Sequence, residues 1–145
     1  MTRFTKFAVA MAVVVSALPF VAKADDKDVI DYRQHIMKTL DEQVASIGMI
    51  VSTQIEGDNL VAHVQAIALT ALTALKSFEL KVQGGESKPE VWAQWPDFEK
   101  KMKDFAIGTA KLVDVAKAGG ANAVNEAMVD ALTCKGCHDT YRNKK

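Results

Sequence analysis

The sequence has few of the residues that interrupt regular structure. Its 145 residues include only 3 Pro and 8 Gly, which argues against a fold built largely from loops. Two cysteines are too few for a scaffold held together by disulfides. Eighteen Lys and Arg balance eighteen Asp and Glu, so the charge balance gives no sign of nucleic-acid binding. At 49% hydrophobic residues the chain is too apolar for disorder, and it is long enough for one domain with its own core.

The N-terminal 24 residues have the three regions of a secretory signal peptide. Arg3 and Lys6 give a positive start, a long apolar stretch follows, and Ala22–Ala24 has the small-x-small pattern of a cleavage site. A retained membrane anchor is the alternative, but the apolar run is short for a bilayer span of about 20 residues. We therefore expect residues 1–24 to be removed. Residues 25–145 are then an exported, periplasmic domain with no membrane span.

The remaining chain has the apolar periodicity of four helices. In each segment, steps of three and four residues place apolar side chains on one face, as in the seam of a helical bundle. Glycines at 57, 84–85 and 119–120 separate the four segments. None of the segments shows a sustained alternation of apolar and polar residues. We therefore predict an all-α fold, an antiparallel up-down-up-down four-helix bundle without strands. The predicted seams are Arg33, Met37, Leu40, Val44, Ile47 and Val51; Val61, Val64, Ala68, Ala71, Leu75 and Phe78; Phe98, Met102, Phe105, Thr109, Leu112 and Ala116; and Val124, Ala127, Ala131, Cys134 and His138.

The connection between the second and third helices carries two local signals. Ser87 and Glu90 have the spacing of a capping box, in which each side chain satisfies a backbone donor. Pro96 forces a boundary soon afterwards, so 91–95 is predicted to be a single helical turn.

One pentapeptide carries the chemistry. Residues 134–138 read CKGCH, the C-x-x-C-H pattern typical of c-type haem attachment. Residues three apart share a helical face, so Cys134 and Cys137 can both reach the vinyl groups of one porphyrin, and His138 can be the axial iron ligand. A redox dithiol, a zinc site with two of the three histidines, and a small disulfide are the alternatives. The first lacks a βαβ context, the second lacks finger spacing, and the third closes too small a loop to stabilise much.

These features together resemble the cytochrome c′ family, the class II c-type cytochromes, including its low-spin members. The shared features are an export signal, four helices and C-x-x-C-H near the C-terminus. YRQ at 32–34, GGESKPEVW at 84–92 and CKGCHDTYR at 134–142 are similar to family segments. The resemblance spans nearly all of residues 25–145.

The resemblance implies one covalent haem c within one end of the bundle, contacted by all four helices. It implies that Arg33 lies near a haem propionate, where a cation would make a charge-assisted bond. Gln34 and Glu86 would lie at the haem edge. Arg142, four residues after His138, would lie over the side of the haem that His138 ligates.

What the resemblance implies for function depends on the sixth coordination position of the iron. Met37 stands where family members carry the residue that faces the side of the haem opposite the histidine. A bound thioether there would give His/Met ligation, which suits a periplasmic electron carrier serving redox partner proteins rather than an enzyme. If Met37 is instead only a packing residue, the protein is a five-coordinate, high-spin cytochrome c′ that binds NO or CO. The resemblance also makes a homodimer possible.

Overall fold

The computed structural model describes residues 24–144. The predicted signal peptide lies outside these residues apart from Ala24. Two short 3₁₀ segments, Gly57–Asn59 and Leu75–Phe78, flank the second helix. The helices are α1 (Asp26–Val51), α2 (Leu60–Ala74), α3 (Glu90–Ala93), α4 (Trp95–Ala131) and α5 (Cys134–Tyr141).

Helix α1 begins almost at the predicted start of the mature chain. The side chain of Asp25 caps it by accepting a hydrogen bond from the backbone N–H of Asp28 at 2.8 Å. Asp26 and Asp28 lie in the first turn, where negative charge is favourable beside the free N–H groups of a helix. Helix α1 packs against α2, and α2 packs against α4.

Gly120 divides α4 into two arms. Its φ of 64° and ψ of −154° are not helical, and glycine reaches this backbone region at low cost because it has no side chain. The arms, 95–119 and 121–131, are the predicted third helix and the first part of the predicted fourth. With α1 and α2 they make a four-helix bundle, and no strand is present in the described part of the chain. The predicted fold class is confirmed.

The fourth helix differs from the prediction at its end. Leu132 and Thr133 leave helical geometry, so Cys134 begins the separate helix α5 instead of continuing the arm. The seam spacing from Ala131 to Cys134 runs unbroken across this point, and neither Gly nor Pro marks it. Periodicity alone therefore predicted one helix where there are two.

The region around α3 confirms one local prediction and contradicts another. Helix α3 is a single turn, as predicted. The capping box is wrong: the N-cap of α3 is Pro89, with no side-chain hydrogen bond. Ser87 instead forms isolated backbone bridges with Gly84 and Arg142, which ties this connection to the C-terminal end of the chain.

The buried face of α1 is rotated slightly from the predicted seam. Arg33, Leu40 and Ile47 are buried as predicted, but Ile36 and Ile50 are buried as well. Met37, Val44 and Val51, predicted to be in the seam, are only half-buried. Phe105 in α4 is likewise half-buried, between buried Met102 and Thr109. Met37, Val44 and Phe105 all border the same cavity.

Helix α2 is apolar on its outer side as well as its inner side. Within residues 24–144, the stretch Gly57–Phe78 is the one segment long and apolar enough to cross a membrane by length and composition. Val64 and Ile67 are fully buried against the bundle, whereas Leu69 and Leu72 are about two-thirds exposed. The segment is thus a bundle helix that carries an exposed apolar strip.

Candidate functional site

A cavity of about 680 Å³ opens at one end of the bundle. It lies between the first half of α1, the connection 84–87, the start of α4, and α5. Its volume is within the range of small-molecule and cofactor pockets, about 300–1,000 Å³. All of the site residues predicted from the sequence line it: Arg33, Gln34, Met37, Glu86, Cys134, Cys137, His138 and Arg142.

Arg33 is a buried cation in contact with two aromatic rings. Its guanidinium carbon lies 5.2 Å from the ring centroids of both Phe78 and Trp92. Nη2 donates to the carbonyl of Val82 at 2.6 Å, and Nε donates to the carbonyl of Val29 at 3.3 Å. Burial lowers the pKa of Arg33 below its ordinary value. Cation–π contacts of this kind stabilise a guanidinium that has lost its water.

One nitrogen of Arg33 has no partner. Nη1 is buried and makes no hydrogen bond, although buried polar groups nearly always do. Because the side chain lines the cavity, an anionic group bound there could accept from this nitrogen. The sequence placed Arg33 on the apolar stripe, and its burial to 3% exposure confirms that placement.

The connection 84–86 passes very close to α1. Gly85 has a φ of +63°, and a Cβ at this position would lie 2.9 Å from Cγ2 of Ile30 and 3.0 Å from Nε2 of Gln34. Any larger residue at 85 would therefore be strained in its backbone and would collide with α1. Gln34 thus lies beneath the connection, at the border of the cavity.

Helix α5 presents two thiols and an imidazole to the cavity. Cys134 and Cys137 are half-buried free thiols, and burial raises the pKa of both. His138 is also half-buried, and its pKa is lowered by burial and by the positive charge of Arg142. A neutral imidazole is the form that binds a metal ion. Both sulfurs and the ring nitrogen therefore border a single space, as the C-x-x-C-H prediction requires.

Arg142 connects His138 to Glu86. Its Nη1 lies 3.4 Å from Nδ1 of His138, and its Nε lies 3.0 Å from Oε2 of Glu86. If Nε2 binds a metal ion, the one ring proton of the neutral imidazole is on Nδ1. A guanidinium only donates hydrogen bonds, so Arg142 offers that proton no acceptor.

A second polar network fixes the end of α5. Tyr141 is buried, and its hydroxyl donates to the carboxylate of Asp97, which also accepts from Nζ of Lys101 at 3.0 Å. Burial and the neighbouring Asp97 raise the pKa of Tyr141 to about 12. The ring of Tyr141 packs edge-on against Phe98, with centroids 5.2 Å apart. These contacts anchor α5 to α4 beside the cavity.

Comparison with known proteins identifies the family. The sequence profile described as "Cytochrome C'" matches residues 28–142. The chain belongs to the cytochrome c′ family. Cytochrome c′ of Alcaligenes xylosoxydans xylosoxydans is 30% identical over 125 residues, which cover 84% of this chain and 98% of that protein.

Solved cytochrome c′ structures have the same fold. A ferrous variant of cytochrome c prime from Alcaligenes xylosoxidans with bound NO superposes with a TM-score of 0.78 at 27% identity, covering 86% of this chain and 100% of that one. A carbon monoxide-bound variant of the same protein superposes with a TM-score of 0.77 at 27% identity, covering 83% and 98%. The similarity therefore extends over the bundle and the C-x-x-C-H helix.

The residues of this cavity fit the one covalent haem c of the cytochrome c′ family. Cys134 and Cys137 supply the two thiols that thioether attachment needs, and His138 supplies an available ring nitrogen. The unpartnered Nη1 of Arg33 suits a haem carboxylate. Zinc fits less well, because no group of three or more His, Cys, Asp or Glu residues within 24–144 could hold a metal ion.

Other residues of the cytochrome c′ cavity were not predicted from the sequence. Asp41 lies one turn after Met37, lines the cavity, and its charge acts on both Cys134 and His138. Lys101 also lines the cavity, and its charge acts on Cys137. The spacing of four from Met37 could have pointed to Asp41. Nothing in the sequence relates Lys101 to Cys137, 36 positions further along.

Proposed function

We propose that this protein is a periplasmic, high-spin cytochrome c′ that binds a neutral diatomic gas, NO or CO, at a five-coordinate haem iron. We further propose that it binds this ligand without converting it. Bound haem would supply an iron atom with one open coordination position; all else in the site comes from the chain itself. Variants of one relative, the cytochrome c prime from Alcaligenes xylosoxidans, solved with bound NO or CO support the ligand class.

The observation that carries the proposal is the cation beside His138. A metal-bound histidine usually donates its second ring N–H to a carboxylate, carbonyl or water, which strengthens it as a ligand. Here Nη1 of Arg142 occupies the position next to Nδ1, at 3.4 Å, and a guanidinium cannot accept a hydrogen bond. The imidazole is therefore a weak electron donor. A weakly held iron favours the high-spin state.

The wall of the cavity suits a small uncharged ligand. Leu40, Val44 and Phe105 contribute apolar surface, and Met37 adds a thioether. Such a surface does not compensate an anion for the loss of its water, whereas NO and CO lose little hydration. Charged groups also line the cavity. Arg33 is assigned to a haem carboxylate, Lys101 is half-buried, and Asp41 and Lys38 are exposed and remain solvated.

Met37 supports a second candidate function. It lines the cavity from α1, and an unbranched thioether side chain can change rotamer without disturbing the core. If its sulfur binds the iron, the haem becomes low-spin with His/Met ligation, and the protein is an electron carrier. The gas-bound variants of the Alcaligenes xylosoxidans relative and the contact between Arg142 and His138 favour the gas-binding function over this one.

The two functions differ in how the haem-loaded protein responds to Met37→Leu. We expect the ferric protein to have a high-spin spectrum, and its ferrous form to bind CO, with little change in the variant. Met49→Leu is the matched control, because Met49 lies twelve residues further along α1 and does not line this cavity. A low-spin spectrum with a methionine–iron charge-transfer band that Met37→Leu removes would establish the electron carrier instead.

A further inference from the structure

The chain beside His138 is held to another part of the fold by its backbone. Ser87 and Arg142 form an isolated antiparallel bridge. Next to it, the N–H of Asn143 donates to the carbonyl of Glu86 at 2.8 Å. The backbone on both sides of Arg142 is thus fixed against the connection that carries Glu86. This arrangement brings Glu86 and Arg142, which are 56 positions apart, into contact.

The side chain of Arg142 makes two contacts from one rigid group. Nε pairs with Oε2 of Glu86 at 3.0 Å, and Nη1 lies 3.4 Å from Nδ1 of His138. The guanidinium is planar, so an ion pair at Nε sets the direction of Nη1. Side chains of both Arg142 and Glu86 are about 40% exposed. Without the ion pair, the guanidinium of Arg142 can move into solvent, because no other contact described above holds it beside the imidazole of His138.

We propose that Glu86 is a positioning residue for the haem iron, acting through Arg142. Its carboxylate holds the guanidinium against Nδ1 of His138 and so keeps that ligand weak. This inference rests on the proposed function only in that His138 ligates the iron. It differs from the expectation that Glu86 acts directly at the haem edge.

The direction in which Glu86→Gln shifts the reduction equilibrium shows whether Glu86 acts directly on the haem or through Arg142. If Glu86 acts directly as a negative charge, Glu86→Gln removes an anion that favours the ferric state, and reduction becomes easier. If Glu86 positions Arg142, the same change frees the guanidinium, and water can accept from Nδ1–H of His138. The imidazole then donates more electron density to the iron. This stabilises the ferric state, so reduction becomes harder.

The test is a double-mutant cycle on the haem-loaded protein with Glu86→Gln, Arg142→Gln and the double variant. We expect the equilibrium constant for reduction by a common mediator to fall by roughly two- to tenfold in Glu86→Gln, the lower part of the range for coupling between contacting residues. Arg142→Gln should lower it as well, and adding Glu86→Gln in that background should not lower it further. Glu90→Gln, an exposed glutamate on α3, is the control for a change of one charge.

Resonance Raman spectroscopy gives a second readout. The iron–histidine stretching frequency of the ferrous protein should rise in Glu86→Gln and in Arg142→Gln, but not in Glu90→Gln. A reduction constant that rises in Glu86→Gln, or falls equally with and without Arg142, would overturn the proposal. If the iron is six-coordinate with Met37, the stretching band is absent and the proposed function fails. The reduction cycle still tests Glu86 in that case.

Because the ion pair is half-exposed, its loss should change folding stability little. The variants are therefore expected to fold.

Discussion

Replacing Arg33 by methionine tests whether its buried nitrogen has a charged partner in the haem-loaded protein. The variant removes the charge-assisted hydrogen bond to the carbonyl of Val82, worth about 1.5–3 kcal/mol. It also removes the cation–π contacts with Phe78 and Trp92, although a thioether keeps favourable contact with aromatic rings. The variant also removes the unpartnered Nη1, whose burial costs about 1–3 kcal/mol, and this gain offsets part of the losses.

The free energy of unfolding distinguishes two situations. If Nη1 of Arg33 stays unpaired, the changes largely offset each other and the variant loses about 1 kcal/mol. If a haem carboxylate accepts from Nη1, the variant leaves that carboxylate buried without its partner, and the loss is about 3–5 kcal/mol. We expect the larger loss, because the cavity lacks any other buried cation of this kind among residues 24–144.

The assay is guanidinium chloride unfolding of the haem-loaded protein, followed by far-ultraviolet circular dichroism. A covalent haem stays on the chain, so unfolding does not depend on haem concentration. Arg142→Met is the control, since that arginine is half-exposed and its ion pair should contribute about 1 kcal/mol or less. Equal losses of about 1 kcal/mol in the two variants would refute the assignment of Arg33.

Two further predictions concern stability. The raised pKa of Tyr141, about 12 against an ordinary 10.0, means that its contribution to stability is complete below pH 10.0 and is lost as the pH rises towards 12. Tyr141→Phe should remove this alkaline loss in a circular dichroism titration, and an unchanged loss would contradict it. Gly120→Ala should destabilise the protein by about 1–2 kcal/mol, because alanine resists a φ of 64°. Gly48→Ala, in the interior of α1 with open space around it, should instead stabilise by about 0.5–1 kcal/mol in the same denaturant experiment.

Features set by neighbouring residues could be predicted from the sequence. The four helical segments follow from apolar spacing, and Gly120 ends the third because few other residues adopt its backbone angles. The thiols and imidazole of 134–138 reach one cavity because their spacing alone brings them onto adjoining faces of a helix.

Features that depend on distant segments could not be predicted. The rotation of the buried face of α1 towards Ile36 follows from where α2 and the cavity lie, which the periodicity of α1 does not contain. Phe78 is buried, as its place in the predicted seam implies, but its contact and that of Trp92 with the guanidinium of Arg33 do not follow from spacing. The pairing of Glu86 with Arg142 likewise needs the loop closure that brings the two segments together.

The position of Arg33 favours one orientation of a ligand bound in the cavity. Its guanidinium is already dehydrated and clamped, so an arriving carboxylate meets a cation that needs no further reorganisation. Cys134 and Cys137 line the same cavity from a different helix, where their thiols can react with vinyl groups. A flat molecule with acidic groups at one edge and vinyl groups at the other would therefore fit best in one orientation, with its acidic edge towards Arg33.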